Sequence, residues 1–156
     1  MESMDGKTKV QILDLIHREV IPAIGCTEPV AVALASAKAA EILNKKADRI
    51  DVFLSANILK NAMGVGIPGT GMVGLPIAIA LGSLIGKSEY GLEVLRDLTP
   101  SALEEGKRMI EEQRIHIGLK EQVDKLYIEV VCHAGEESAT AVIAHEHTGF
   151  VYLAHN

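Results

Sequence analysis

Tryptophan is missing from this sequence, and aromatic residues make up only 3% of it. A core without large rings must be filled by Ala, Val, Ile and Leu, which favours helices packed closely against one another. Cysteine is almost as scarce. Cys26 and Cys132 are the only two, so there is no disulfide framework. Positive charge is in short supply, with 15 Lys and Arg against 21 Asp and Glu and a net charge of −6. The basic residues are scattered, Lys45-Lys46 and Lys107-Arg108 being the densest pairs, which argues against a nucleic-acid surface. Long apolar runs are lacking as well. The longest, Leu75 to Ile85, is interrupted by Gly82 and Ser83 and falls well short of the roughly 20 residues that span a bilayer. The opening Met-Glu-Ser-Met-Asp-Gly has neither the basic start nor the apolar stretch of a signal peptide. These absences lead us to expect a soluble cytoplasmic protein that binds neither nucleic acid nor membrane.

Glycine, by contrast, is concentrated. Gly64, Gly66, Gly69, Gly71 and Gly74 crowd the stretch from Asn57 to Pro76, between an expected strand and an expected apolar helix. Such residues are chosen where φ must be positive or where another group approaches the backbone closely. The polar residues of the stretch are Asn57, Lys60, Asn61 and Thr70. Bare backbone N–H groups beside an amide, an ammonium and a hydroxyl suit a small anion such as a carboxylate or phosphate. The competing reading is a tight loop whose glycines only let helices pack.

Lys7 to Ile21 has apolar residues at helical spacing and predicts an amphipathic helix ending before Pro22. Thr27 can cap a second helix, and Val30 to Leu43 is so rich in Ala, Val, Leu and Ile that this helix is expected to be buried on most sides. Arg49 to Ser55 reads as a strand. After the glycine-rich stretch come an apolar helix over Leu75 to Ile85, a short helix over Tyr90 to Leu98, and a helix from Pro100 to about Gln113 capped by Thr99. From Arg114 the period changes to two. Strands are expected over Arg114 to Leu119, Lys125 to His133, Ser138 to His147 and Phe150 to His155, with a hairpin turn at Ala134-Gly135-Glu136-Glu137. The fold class is therefore α+β: a helical N-terminal half packed on a mostly antiparallel sheet from the C-terminal half. We expect one domain over residues 1–156, and the front part of a longer protein, because the sequence stops directly after an apolar strand.

Three further patterns bear on chemistry. Cys26 precedes a helix start, where the partial positive charge favours thiolate, although an inert buried thiol is the commoner case. Gly64-x-Gly66-x-x-Gly69 and Gly69-x-Gly71-x-x-Gly74 match the dinucleotide fingerprint as bare patterns. Pro68 and the missing βαβ context count against nucleotide binding. His133, His145, His147 and His155 cluster late. On a strand, His145 and His147 would share a face near Cys132 or His133 and could ligate zinc, against the simpler reading of solvated edge histidines.

Taken together, Ile24-Gly25-Cys26-Thr27-Glu28-Pro29 and the stretch Lys60-Asn61-x-Met63-Gly64-Val65-x-Ile67-Pro68-Gly69-Thr70-Gly71-Met72-Val73-Gly74-Leu75-Pro76 resemble the L-cysteine desulfidase family, relatives of iron–sulfur-dependent L-serine dehydratases. The resemblance implies a carbon–sulfur lyase of amino-acid catabolism that takes L-cysteine, or alternatively L-serine, as substrate. It implies a [4Fe–4S] cluster held by three cysteines, with an open iron acting as Lewis acid. Cys26 would be one cluster ligand, the others lying in a C-terminal catalytic region absent from this sequence. The fragment alone would then carry no cluster and be inactive. Asn57, Lys60, Asn61, Thr70 and Gly71 would line the substrate pocket, and His147 is the candidate acid–base residue, although Gly149 departs from the family pattern beside it. Cys132 is read as a structural thiol. The alternative function is a non-catalytic module that binds a small anion or amino acid at the glycine loop. An apolar surface left for the absent region would also allow a homodimer.

Overall fold

The computed structural model describes residues 27–63, 66–67 and 72–156. The helix expected over Lys7 to Ile21 lies outside them. The first described helix, α1 (Thr27–Leu43), is followed by strand β1 (Arg49–Leu54) and helix α2 (Ala56–Ala62). A small hairpin, β2 (Gly66–Ile67) with β3 (Met72–Val73), leads into α3 (Leu75–Ile85). A 3₁₀ segment at Ser88–Glu93 precedes α4 (Pro100–Glu111), and the chain closes with β4 (Ile115–Leu119), β5 (Tyr127–Ala134), β6 (Glu137–Ala144) and β7 (Phe150–His155). The α+β class and the order of helical and sheet halves are as the sequence pattern predicts.

Five strands form one sheet in the order β4-β1-β5-β6-β7. β1 comes from the helical half yet sits inside the sheet, parallel to β4 and antiparallel to β5. The remaining pairs are antiparallel, with an irregularity between Val142 and Ile143 where β6 meets β7. Alternation along β1 sends Ile50, Val52 and Leu54 to the helix-covered face and Arg49, Asp51 and Phe53 to the other. Ile128, Val130 and Cys132 of β5 join the covered face. Each fully buried Leu or Ile contributes about 1.5–3 kcal/mol relative to exposure.

Among the helices, α1 is the centre. Val30, Ala31, Val32, Ala33, Leu34, Ala35, Ala37 and Ala39 are all buried, as its near-continuous small apolar sequence requires. The buried Ser36 hydroxyl donates to the Val32 carbonyl at 2.9 Å, so no polar atom is stranded there. Small residues let α3 approach α1 until backbone nearly touches backbone. A Cβ on Gly82 would lie 2.3 Å from the Ala33 carbonyl oxygen, so only glycine fits that crossing. Gly74 serves a different need. Its φ of 95° suits glycine, and it turns the chain into α3 with Pro76 in the first turn. The start of α4 follows the expected capping, the Thr99 hydroxyl accepting from the Ala102 N–H at 3.1 Å. No described helix is long and apolar enough to cross a membrane.

Candidate functional site

Ser55 ends β1 and starts α2. Its hydroxyl accepts from the Ile58 N–H at 3.4 Å and donates to the Lys125 carbonyl at 2.5 Å. The Ser55 N–H donates to the Tyr127 carbonyl at 3.1 Å, and the Lys120 N–H to the Leu54 carbonyl at 2.8 Å. These bonds tie the β1–α2 junction to the loop joining β4 and β5. Between the two lies a cleft of about 580 Å³, floored by Ser55 and lined by Asn57 and Lys60 on one side and residues 119–125 on the other. That volume lies within the range of small-molecule sites.

The cleft is charged in both signs. Lys60, Lys120 and Lys125 line it together with Glu121 and Asp124, and Asn57 and Gln122 are also in the lining. Lys120 Nζ lies 3.6 Å from Glu129 Oε1, and the Tyr127 hydroxyl donates to the same carboxylate oxygen at 2.8 Å. Partial burial and the Glu129 carboxylate push the Tyr127 phenol up to about 12. A set with ammonium groups, carboxylates and amides can hold a carboxylate and an amine at once.

Of the residues singled out in sequence, Asn57 and Lys60 line this cleft. They stand on helix α2 rather than in the loop where sequence spacing puts them, because Ser55 caps a helical turn at once. Asn61 is exposed on the same helix and is not part of the lining. Cys26, Thr70 and Gly71 lie outside the described residues. His147 stands in the turn between β6 and β7, with Nε2 3.6 Å from Glu28 Oε2 in the first turn of α1. That turn, the β4–β5 loop and the β1–α2 junction all emerge at one end of the sheet, as the strand pairings require. A bridge joins them: His145 Nδ1 lies 2.9 Å from Asp124 Oδ2, at the rim of the cleft.

The histidine cluster weighed as a zinc site does not assemble. Strand β6 ends at Ala144, so His145 and His147 share no strand face, and His145 takes a positive φ of 75° in the turn. Cys132 and His133 point to opposite faces of β5. Burial pushes the Cys132 thiol up to about 12, as befits a structural residue and not a thiolate ligand. Among the described residues no group of three His, Cys, Asp or Glu side chains can hold a metal ion.

Lys120, Asp124 and Lys125 carry no motif; the first two fall between expected strands, and Lys125 reads as the first residue of a strand that begins only at Tyr127. The available signal is a seven-residue connection, 120–126, in which only Val123 and Leu126 are apolar. A second polar group also went unseen. On the sheet's open face, Asp51 is flanked by Arg49 Nη2 at 3.3 Å, His133 Nε2 at 3.0 Å and His116 Nδ1 at 3.3 Å.

No family model matches the sequence, and no solved structure matches it significantly. A UPF0597 protein of Parabacteroides distasonis is 68% identical over 153 residues, covering 98% of this chain and 36% of the relative. A UPF0597 protein of Bacteroides fragilis is 67% identical over 152 residues, covering 97% and 36%. One of Porphyromonas gingivalis is 53% identical over 154 residues, covering 98% and 36%. The chain thus spans about a third of the length of the curated relatives it matches. These relatives overturn the resemblance to L-cysteine desulfidases. Likeness over nearly the whole chain runs to UPF0597 proteins and not to that family.

Proposed function

We propose that this part of the protein is a binding module for a small amino acid or a carboxylate of similar size, held in the cleft between α2 and the β4–β5 loop. One observation carries the reading: three lysines, a glutamate and an aspartate are among the residues lining a cleft of about 580 Å³, whose two walls are joined by the hydrogen bonds of Ser55. A ligand carboxylate would sit among Lys60, Lys120 and Lys125, and its amine toward Glu121 and Asp124. Charge-assisted hydrogen bonds of this kind each contribute about 1.5–3 kcal/mol. L-cysteine and L-serine fit the charge pattern, as do other small amino acids. A soluble cytoplasmic setting goes with this reading, supported by the charge balance and the absence of long apolar runs in the sequence.

The test is an amide NMR titration of the chain with L-serine, L-cysteine and a simple dicarboxylate in separate series. Saturable shifts at Ser55 to Lys60 and at Leu119 to Lys125, absent in Lys60→Ala, are the expected result. No saturable shift in those two segments with any of the three ligands would overturn the proposal.

A further inference from the structure

Four residues other than glycine take a positive φ among the described residues: Asn44 at 60°, Gln113 at 58°, Gln122 at 62° and His145 at 75°. Asn44 follows the last residue of α1, and Gln113 follows the cap of α4. A left-handed residue is a common way to end a helix, which accounts for both. Gln122 and His145 end no helix. Gln122 lines the cleft, and His145 stands against Asp124 at its rim. Strained backbone persists only where the surrounding structure holds it, and it gathers at sites that bind or react.

The turn at His145 is tight. The Glu146 N–H donates to the Ala144 carbonyl at 2.9 Å, closing a loop around His145 alone. A three-residue turn with positive φ at its centre is rare and strained. It ends the alternation of β6 and sets His145 on the loop between β4 and β5. There the His145 N–H donates to the Leu126 carbonyl at 3.4 Å, and Nδ1 lies 2.9 Å from Asp124 Oδ2. Backbone and side chain thus grip one loop at residues 124 and 126. The Asp124 side chain is 56% exposed, and a carboxylate that open turns freely in water unless another element restrains it.

We propose that His145 is a positioning residue for the cleft: its imidazole holds the Asp124 carboxylate at the rim, where that carboxylate meets the ammonium group of a bound amino acid. The role rests on the reading of the cleft as an amino-acid site. On that reading the three lysines of the lining serve any small carboxylate, and the acidic side supplies the preference for a ligand that also carries an amine. An Asp124 ordered in advance loses less freedom on binding than a free one, so the preference falls when the imidazole is removed. Glycine at position 145 would take the same φ without strain but has no group to reach Asp124. The strain is therefore the mark of a side chain kept for what it touches.

Calorimetric titration of the full chain with L-serine and with 3-hydroxypropanoate, which is serine without its amine, tests this. The native chain is expected to bind serine the more tightly. His145→Gly keeps the turn and removes the imidazole. In that variant serine binding is expected to weaken about 3- to 10-fold while 3-hydroxypropanoate binding stays as it was. Asp124→Asn should lower the preference as well, and adding His145→Gly to it should change nothing further, because the imidazole acts through that carboxylate. A native chain that binds neither ligand would remove the amino-acid reading of the cleft and this role with it. Three results would overturn the role of His145 alone: a native chain that binds both ligands equally, a preference kept in full by His145→Gly, or a further loss when His145→Gly is added to Asp124→Asn.

Discussion

The two faces of the sheet are built from the same strands and differ in content, although Phe53, Val142 and Ala144 put apolar residues on the second face as well. On the side covered by α1 and α3, Ile50, Val52, Leu54, Ile128, Val130, Cys132, Ala139, Ala141 and Ile143 are all fully buried. The opposite side carries Arg49, Asp51, Tyr127, Glu129 and His133, half-buried or exposed and bonded to one another. The lesson is that a period of two sorts stability from chemistry at no extra length of chain. Among the described residues the helix side contributes burial, and desolvation holds its Cys132 thiol protonated. The charged groups of these strands lie on the open side and at the ends of the sheet.

Breaking the covered side should have the largest effect. In Gly82→Ala the new methyl would meet the Ala33 carbonyl, and backbone must shift to admit it. A loss of about 3 kcal/mol, the upper part of the range for overpacking, is expected in denaturant unfolding. A loss within error of zero would show that α1 and α3 do not cross as closely as described. Ser55→Ala, at the floor of the cleft, removes both a helix cap and the bond to Lys125. It should cost about 1–2 kcal/mol and speed amide exchange in the β4–β5 loop, which a cap lost alone would not do. Asp51→Asn on the open face breaks partly solvated pairs only. Less than about 1 kcal/mol is expected, and a larger loss would mean that this face is covered in solution.

The smallest effect sharpens the comparison through pH. Tyr127 holds its proton up to about 12 when folded, against about 10.0 for an unperturbed phenol. The unfolded chain therefore loses this proton first, so stability is unaffected below pH of about 10 and declines as pH rises from there to about 12. Phenolate absorbance should show a late-titrating phenol that disappears in Tyr127→Phe. Full ionisation of every phenol near 10 would contradict the contact with Glu129.

Much of this fold can be read from sequence where local chemistry decides. Leu75 to Ile85 shows its helix boundaries through Gly74, Pro76 and Gly86, and Thr99-Pro100 announces α4. Phe150 to His155 shows as an apolar strand following the turn at His147-Thr148-Gly149. What escaped the sequence was set by distant partners or by short range. Helix α2 has seven residues, too few for a periodic signal, and the serine that caps it also passes as the last strand residue. His145 and His147 continue the alternation of β6, yet the chain turns after Ala144, where the His145 N–H bonds to the Leu126 carbonyl at 3.4 Å. The cleft brings Lys60 to Lys120 and Lys125 by setting β1 between β4 and β5. That order has no counterpart in local sequence, so half of the candidate site was legible and its opposite wall was not.

Calorimetric titration with the amino acid or carboxylate that binds best, run in parallel on the native chain, Lys60→Ala, Lys125→Ala and His116→Ala, tests the central claim most directly. Loss of one charge-assisted contact should weaken binding about 10- to 100-fold in each lysine variant. His116→Ala, altered on the open face away from the cleft lining, should bind as the native chain does. Equal affinities in all four proteins, or a loss confined to His116→Ala, would contradict the account.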